Sequence, residues 1–301
     1  MCGLYGFLNY SRQAIKNLSV LTNSLAEQAT IRGTDATGIA YNDSGKIVIQ
    51  KEAKSAYQIN LKHPDNAVCV TGHTRHATQG DKKRNYNNHP FRGSCKNLRF
   101  ALCHNGILSN NISLKKEYRL PKTKIETDSY AAVQLLEKKK TLDFDSVKFM
   151  AETVSGSFAF SILDSSDNLW LVRGDSPLSL IHLPKYKLYV YASTDEILYK
   201  ALVDTMLFQE IKTGNFEEIG INSGDIIKIL PDGTIMSDKF KYSEYFGGRH
   251  WLEYDMFGDY DIIDNLKSIA TYYGYSDDDI DNLLEQGFTP DEIEEYIYCS
   301  E

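Results

Sequence analysis

The chain has 301 residues, of which 42% are hydrophobic and 25% charged, values that are ordinary for a globular protein able to bury a core. No apolar run approaches the roughly 18 residues of a transmembrane helix, and the N-terminus lacks a basic-then-apolar signal pattern, so we expect neither a membrane protein nor a secreted one. The five cysteines are an odd number without a Cys-x-x-Cys pair, which argues against a disulfide framework or structural zinc and favours a cytoplasmic protein.

The negative charge is concentrated near the C-terminus. Residues 253–301 contain 15 acidic residues and one lysine, whereas the formal net charge of the whole chain is only −8. The remainder of the chain is therefore mildly basic but has no basic stripe. Because the acidic tail would repel phosphate, we do not expect nucleic-acid binding.

The first ten residues predict a buried strand behind a penultimate cysteine. Residues 3–8 are small or apolar, and a small residue at position 2 permits removal of the initiator methionine. Cys2 would then carry both a thiol nucleophile and an α-amine able to accept the thiol proton. The alternative is that Cys2 is simply the second residue of a loose terminus.

The first half of the chain predicts one helix followed by strands. Apolar spacing predicts a helix over 15–31, and residues 32–38 form a Gly-rich turn. The predicted strands are 39–41 and 46–51, joined by a hairpin turn at 42–45, then 67–74 and 99–104, with a polar loop containing 87–91 between the last two.

The second half predicts grouped helices and then a run of strands. Helices are expected over 129–139, 143–153 and from 194 to about 203; strands are expected as a meander over 157–163, 169–173, 178–182 and 187–191, with a final hairpin of 225–230 and 234–236. The chain has no regular βαβ alternation. We therefore predict an α+β fold in which antiparallel sheets are sandwiched by helices.

The C-terminal part changes character after residue 239. Residues 240–260 are aromatic and Gly-interrupted and are interpreted as a linker, and residues 261–301 as a small acidic helical module. Its helices are predicted at about 261–273, at 277–286 with Ser276 as cap, and at 290–298 behind Thr289-Pro290. About 40 residues is near the lower limit for independent stability, so the module is expected to lean on the main domain or on a partner.

Five short motifs follow one another along the chain. They are residues 1–6 (MCGLYG), 32–38 (RGTDATG), 72–78 (GHTRHAT), 104–106 (HNG) and 126–128 (ETD), with further similarity at 172–178 and 192–195. Together they resemble the glutaminase domain of the class II glutamine amidotransferases, the N-terminal-nucleophile hydrolases that include glucosamine-6-phosphate synthase and amidophosphoribosyltransferase. The resemblance covers roughly residues 2–236. It implies a four-layer αββα sandwich of two antiparallel sheets, and we assign residues 2–239 to this domain.

The resemblance also implies how glutamine would be hydrolysed. Cys2 would be the nucleophile, with its own α-amine as base and then acid. Asn105 and Gly106 would supply the amide NH₂ and the backbone N–H of an oxyanion hole. An Asn-Gly pair also forms hairpin turns, so a structural turn is the alternative for these two residues.

The same resemblance assigns residues to the amino-acid head group of the substrate. Arg75 suits the α-carboxylate and Asp128 the α-ammonium, although a surface ion pair and a helix N-cap are their respective alternatives. Thr74 and Thr78 match positions that contact glutamine in the family. Three further residues are expected to support the Cys2 strand and its turn: Arg32, Gly33 and Asp35.

Two positions depart from the family. His76 stands where an aromatic residue is common, and Gln79 where the synthase branch has histidine, which puts gating and coupling in question more than hydrolysis. Three other histidines, His73, His89 and His104, have no metal-ligand spacing and are interpreted as structural. We therefore expect neither a metal nor a cofactor.

These observations predict a glutaminase that releases ammonia through a γ-glutamyl thioester. Because the residues after 239 are too few for a synthase domain, we expect a separately encoded synthase partner, with residues 240–301 as a docking element or, alternatively, a solvated appendage. An oligomer is possible. Two other hypotheses stay open: an N-terminal-nucleophile hydrolase acting on another amide or γ-glutamyl compound, and a catalytically silent scaffold or sensor. Arg75 with Asp128 disfavours the first, and the complete set of site residues disfavours the second.

Overall fold

The structure is a computed structural model that describes residues 2–11, 15, 18–96, 98–203, 205, 207–242, 263, 266–267, 270–271, 274–288, 293 and 297. Its strands are β1 (Gly3–Asn9), β2 (Ala36–Asp43), β3 (Lys46–Glu52), β4 (Cys69–Arg75), β5 (Phe91–Cys95), β6 (Leu98–Leu108), β7 (Gly156–Asp164), β8 (Leu169–Arg173), β9 (Ser179–Leu183), β10 (Leu188–Ala192), β11 (Glu217–Ile219), β12 (Asp225–Ile229) and β13 (Ile235–Lys239). Its α-helices are α1 (Leu18–Gln28), α2 (Asn111–Glu117), α3 (Tyr130–Lys139), α4 (Phe144–Thr153), α5 (Asp195–Val203), α6 (Phe208–Lys212) and α7 (Asp277–Glu285).

The strands form two sheets within the described residues. One sheet has the order β11-β9-β10-β1-β4-β2-β3 and the other β13-β12-β8-β7-β6-β5. Every pairing of neighbouring strands is antiparallel. The strand that follows Cys2 is thus central, flanked by β10 and β4, and all seven of its residues are buried.

Three hydrophobic clusters show that the molecule has four layers. Between the two sheets lie inward-facing residues such as Leu4, Ala101 and Leu171. The opposite face of the seven-stranded sheet packs on α1 and α5, and the opposite face of the six-stranded sheet on α3 and α4. This αββα arrangement confirms the predicted fold class, because apolar residues alternate between the two faces of each strand and each face needs a cover.

The local predictions of helices and strands hold best where the chain carries its own signals. The helix at 143–153 begins where Asp143 and Ser146 form a reciprocal capping box. The hairpin at 42–45 turns through two residues with positive φ, Ser44 and Gly45.

The prediction of one continuous meander over 157–191 was wrong. β7 and β8 belong to the six-stranded sheet, whereas β9 and β10 belong to the other, so the chain changes sheets between Arg173 and Ser179. The prediction also placed Asn105 and Gly106 at the end of a strand. In the structure β6 continues to Leu108, and the two residues lie opposite Ala159 and Phe158 of β7. Four short elements were not predicted: β5, β11, α2 and α6.

The described part of the C-terminal stretch contains α7, which begins at Ser276 with a reciprocal capping box to Asp279. Leu266, Ala270, Ile280, Ile293 and Ile297 are buried together in a small cluster. The predicted linker falls mostly, and the first and third predicted helices partly, outside the described residues, and the boundaries at 239 and 260 stay predictions. No helix that the structure describes is long and apolar enough to cross a membrane.

Candidate active site

Cys2 directly precedes β1, and its side chain contacts the backbone just after the end of β4. The Cys2 Sγ is 3.4 Å from both the amide N and the carbonyl O of His76. Arg32 holds the other side of the residue, because its Nε donates to the Cys2 carbonyl at 2.7 Å. Burial raises the pKa of the Cys2 thiol, while the nearby positive charge of Arg75 acts in the opposite direction.

Gly33 and Asp35 fix the segment that faces the thiol. A Cβ on Gly33 would lie 2.4 Å from the carbonyl carbon of Arg75 and 2.5 Å from the His76 nitrogen, so only glycine allows this approach. The Asp35 carboxylate accepts from the Ala77 amide at 2.9 Å and pairs with Lys82 at 2.7 Å. Although burial opposes it, these contacts lower the pKa of Asp35.

Arg75 is the last residue of β4 and is almost completely buried. Its guanidinium donates to the Asn88 side-chain oxygen at 2.6 Å and to the backbone carbonyls of Gln79 and Gly80. The surface ion pair considered as its alternative is therefore wrong. The loop after β4 wraps around a buried cation, which is held at a defined place beside Cys2.

The loop around Arg75 is itself anchored by Glu126, four residues before the start of α3 at Tyr130. Glu126 accepts from the Asn87 side chain at 2.7 Å and from the Asp81 amide at 3.1 Å, and its backbone N–H donates to Asn87. Arg84 adds an ion pair at 3.0 Å. The motif at 126–128 thus contributes to the loop through its first residue and to the site through its last.

Asn105 projects from β6 toward the seven-stranded sheet. Its Nδ2 is 3.5 Å from the hydroxyl of Ser193, and the same hydroxyl accepts from the Leu4 amide at 2.7 Å. Ser193 is completely buried, and its own amide donates to the Leu4 carbonyl. The side-chain amide of Asn105 is therefore adjacent to the strand that carries Cys2.

Gly106 follows with φ of +126°, a conformation that L residues rarely adopt. A Cβ there would lie 2.0 Å from the Ser157 carbonyl oxygen. The hairpin-turn alternative for Asn105 and Gly106 is wrong, since both residues are paired with β7 inside the sheet.

Asp128 is buried just before α3, and its carboxylate does not cap that helix. One oxygen accepts from the Leu108 amide at 2.6 Å and the other from the Ser129 hydroxyl at 3.3 Å. The negative charge of Asp128 acts on the Cys2 thiol, raising its pKa, while Arg75 lowers it. Charges of both signs therefore lie within electrostatic reach of the thiol.

The two threonines differ in their surroundings. Thr74 is completely buried in β4 opposite Gly3, and its hydroxyl donates to the Ala29 carbonyl at 2.8 Å. This bond gives Thr74 a structural partner, so its assignment to glutamine stays a prediction. Thr78 is half-buried in the loop after Arg75, and its assignment to glutamine likewise stays a prediction.

Three buried histidines fill the space beside the site. The rings of His73 and His89 stack with centroids 4.1 Å apart, and the His104 carbonyl is 2.9 Å from His73 Nε2. Burial lowers the pKa of all three, that of His73 to about 3, so their imidazoles are neutral at physiological pH. Among the described residues, no group of three or more His, Cys, Asp or Glu side chains is arranged to hold a metal ion.

Several residues in these contacts were not assigned from the sequence. Ser193 joins Asn105 to β1, Asn88 holds Arg75, and Ser129 contacts Asp128. Ser193 had a signal, because residues 192–195 resemble the family. The other two had none, since a serine or an asparagine in a polar stretch is normally read as loop chemistry.

Comparison with known proteins agrees with the family that the sequence motifs resemble. Residues 73–200 match the family described as "Glutamine amidotransferase domain". A glutamine–fructose-6-phosphate aminotransferase (isomerizing) from Fusobacterium nucleatum is 30% identical over 250 residues, which is 79% of this chain and 37% of that protein. The corresponding protein from Geobacillus kaustophilus is 33% identical over 186 residues, which is 59% of this chain and 30% of the relative. The chain spans about a third of the length of these curated relatives.

Solved structures share the fold. A glutamine phosphoribosylpyrophosphate amidotransferase from B. subtilis, complexed with ADP and GMP, aligns with a TM-score of 0.60 and 21% identity over 80% of this chain and 50% of that one. An allosteric regulatory enzyme of purine biosynthesis aligns with a TM-score of 0.61, with the same identity and coverage. With the family match over β4 to α5 and the motifs at Cys2, Arg75 and Asn105, the chain carries a class II glutamine amidotransferase domain.

Proposed function

We propose that the protein hydrolyses the side-chain amide of L-glutamine with Cys2 as its nucleophile and passes the ammonia to an acceptor. The observation that carries the proposal is the surroundings of the Cys2 thiol: the buried cation of Arg75 and the buried carboxylate of Asp128 both act on its charge, and Asn105 contacts the strand that follows Cys2 through Ser193. A thiol in such a place can attack a carbonyl whose amino-acid head group is held by the two charges.

The reaction follows in two steps once Met1 is removed. The α-amine of Cys2 takes the thiol proton, and the sulfur forms a bond to the amide carbon of glutamine. The C–N bond then breaks as the α-ammonium returns the proton to the leaving ammonia, which leaves a γ-glutamyl thioester. Water, deprotonated by the same amine, hydrolyses the thioester to glutamate and regenerates the thiol.

The negative charge that develops on the amide oxygen needs donors already in place. Asn105 Nδ2 and the Gly106 N–H are suited to this task, because β6 is paired with β7 on one side and Asn105 is held beside β1 through Ser193 on the other. Donors fixed in this way need no reorganisation as charge develops, and loss of one typically costs about 10²–10³ in rate.

The head group of glutamine would be held by Arg75 and Asp128. Arg75 presents a guanidinium whose orientation is fixed by Asn88 and two carbonyls, and a planar guanidinium suits a carboxylate. Asp128 is oriented by the Leu108 amide and suits an ammonium group. An amide that lacks either the α-carboxylate or the α-ammonium would lose one of these contacts, so glutamine is the substrate that fits best.

We further propose that ammonia passes to a synthase that lies outside residues 2–242. The relatives from Fusobacterium and Geobacillus carry names that join glutamine to the amination of fructose 6-phosphate, and the present chain matches only about a third of each. The acceptor of the present protein is expected to be an electrophilic metabolite bound by a synthase domain or subunit outside these residues. The charges of residues 253–301 make that stretch the candidate contact with a basic partner surface.

Intact-mass measurement followed by incubation with the glutamine analogue diazo-oxo-norleucine tests the hydrolase. We expect loss of Met1, a single adduct on Cys2, and glutamate release from glutamine by untreated protein. A Cys2→Ala variant should lose both adduct and activity, whereas Cys95→Ala, a matched loss of a buried thiol at the end of β5, should keep both. Retention of Met1, or labelling that persists in Cys2→Ala, would refute the assignment of Cys2.

A further inference from the structure

The carboxylate of Asp128 is linked through hydrogen bonds to Ser129 and His104, two residues that have no role in the proposed hydrolysis steps. His104 Nδ1 is 2.8 Å from the Ser129 hydroxyl, which is 3.3 Å from Asp128 Oδ1. All three side chains are buried, with at most 5% of any residue exposed. Buried polar groups at these distances form a chain whose orientation is fixed by its members rather than by water.

The direction of the chain follows from what each group can donate. A carboxylate only accepts, so the Ser129 hydroxyl donates to Asp128 and is left to accept from His104. A neutral imidazole donates from only one nitrogen, and we assign the His104 proton to Nδ1 because its contact with Ser129, at 2.8 Å, is much shorter than the 3.4 Å between Nε2 and the Ser157 carbonyl. Because burial lowers the pKa of His104 and keeps its ring neutral, the imidazole carries a single N–H, which donates to Ser129.

The two residues of β6 that hold Asp128 lie on either side of the proposed oxyanion donors. His104 and Leu108 both belong to β6, and between them are Asn105 and Gly106. Leu108 holds one oxygen of Asp128 directly through its amide, and His104 holds the other through Ser129. One strand thus positions both the oxyanion donors and the carboxylate.

We infer that Ser129 and His104 are positioning residues that orient the Asp128 carboxylate toward the α-ammonium of glutamine. The inference rests on the proposed function, in which Asp128 binds that ammonium. Without the chain, the carboxylate is expected to rotate about its own side-chain bonds, and the free energy of head-group binding falls. The consequence is a loss of selectivity for substrates that carry the ammonium, rather than a loss of chemical competence at Cys2.

The test compares ammonia release from L-glutamine with release from glutaramate, which is glutamine without its α-amino group. In Ser129→Ala we expect kcat/KM for glutamine to fall about tenfold, mainly through KM, because one charge-assisted hydrogen bond is removed. For glutaramate kcat/KM should be unchanged, since no ammonium is present to be recognised. The ratio of the two values therefore falls about tenfold, a change that general damage to the fold would not produce.

The chain provides matched controls. Ser146, like Ser129, is a buried serine near the start of a helix; it lies in the first turn of α4, and its hydroxyl belongs to the cap of that helix. Ser146→Ala should lose stability but keep the selectivity ratio. Ser129→Thr retains a hydroxyl and should restore most of the ratio. His104→Phe keeps the ring that stacks on Phe160 at 4.8 Å and should lower the ratio as Ser129→Ala does, with no further loss in the double variant.

The outcomes separate the inference from the proposed function. Wild-type protein that releases ammonia from neither compound would overturn both. Wild-type protein active on glutamine together with an unchanged ratio in Ser129→Ala would overturn the positioning chain alone, and so would equal losses for both substrates.

Discussion

Replacement of Gly106 by alanine tests whether the close approach of β6 and β7 sets the geometry of the oxyanion site. A Cβ at this position would lie 2.0 Å from the Ser157 carbonyl oxygen and 2.9 Å from the Phe158 Cα, where ordinary contact begins at 3.4 Å. The shortest contact is thus about 1.4 Å too close, and the neighbour is backbone, which has no rotamer by which to move away.

Two effects add in this variant. The positive φ of +126° costs an L residue of the order of 1–3 kcal/mol. Relief of the overlap requires a displacement of about 1 Å between the strands, and a misplacement of that size at a reacting centre costs about 10² in rate. We therefore expect kcat for glutamine to fall about a hundredfold, with a fall in Tm of several degrees.

Gly45→Ala is the matched control. Gly45 also has a positive φ, of +84°, but nothing lies within 4 Å of the Cβ that alanine would add. It should lose roughly 1 kcal/mol of stability through its backbone alone and leave kcat unchanged. Glutamate release and thermal unfolding of both variants decide the matter. If Gly106→Ala keeps kcat within threefold of wild type, or if Gly45→Ala loses as much activity, the steric account of the site is wrong.

Three further predictions concern the surroundings of the thiol. Arg75→Lys keeps the charge but loses the donors to Asn88 and the loop carbonyls, so KM for glutamine should rise at least about tenfold. The control Arg92→Lys, at an exposed position, should leave KM unchanged, and equal KM values in the two variants would contradict the prediction. Asp35→Ala should lower kcat/KM about tenfold because the amide of the buried residue Ala77 loses its acceptor. Lys82→Gln, which breaks only a half-exposed ion pair, should change kcat/KM less than twofold, and a larger effect in the lysine variant would contradict this reasoning. The pKa of His73 is lowered to about 3 and that of His89 well below its ordinary value, so below about pH 6.5 these histidines are protonated in the unfolded chain but stay neutral in the native state. Their contribution to the free energy of unfolding is therefore fully present above about pH 6.5 and is lost as the pH falls toward 3, by up to about 1.4 kcal/mol per pH unit for each histidine. His89→Phe should flatten this slope in urea titrations between pH 5 and 7, and an unaltered slope would count against a buried neutral imidazole at that position.

The sequence alone determined the elements whose signals are local. The small and apolar residues after Cys2 predicted β1, the pattern over 143–153 predicted α4, and the turn at 42–45 predicted the β2–β3 hairpin. Each depends on residues only a few positions apart, so backbone propensity and side-chain capping suffice. The motifs also indicated the family, because their order along the chain is itself a sequence property.

The tertiary structure decided which elements meet. Alternating hydrophobicity predicts a strand but not its partner, so the sequence placed β8 and β9 in one meander, whereas packing places them in different sheets. For the same reason an Asn-Gly pair indicated a turn, and only the pairing with β7 made Gly106 part of a strand.

The contacts of the site are likewise long-range. Ser193 reaches Leu4 across 189 positions of sequence, and Arg32 reaches Cys2 across 30. Such pairs leave no local pattern, since a buried serine has the same letter as one in a loop. The sequence could therefore name the candidate nucleophile and the charged residues, while only the folded chain could show that β6 carries Asn105 and Gly106 and also contacts the Asp128 carboxylate.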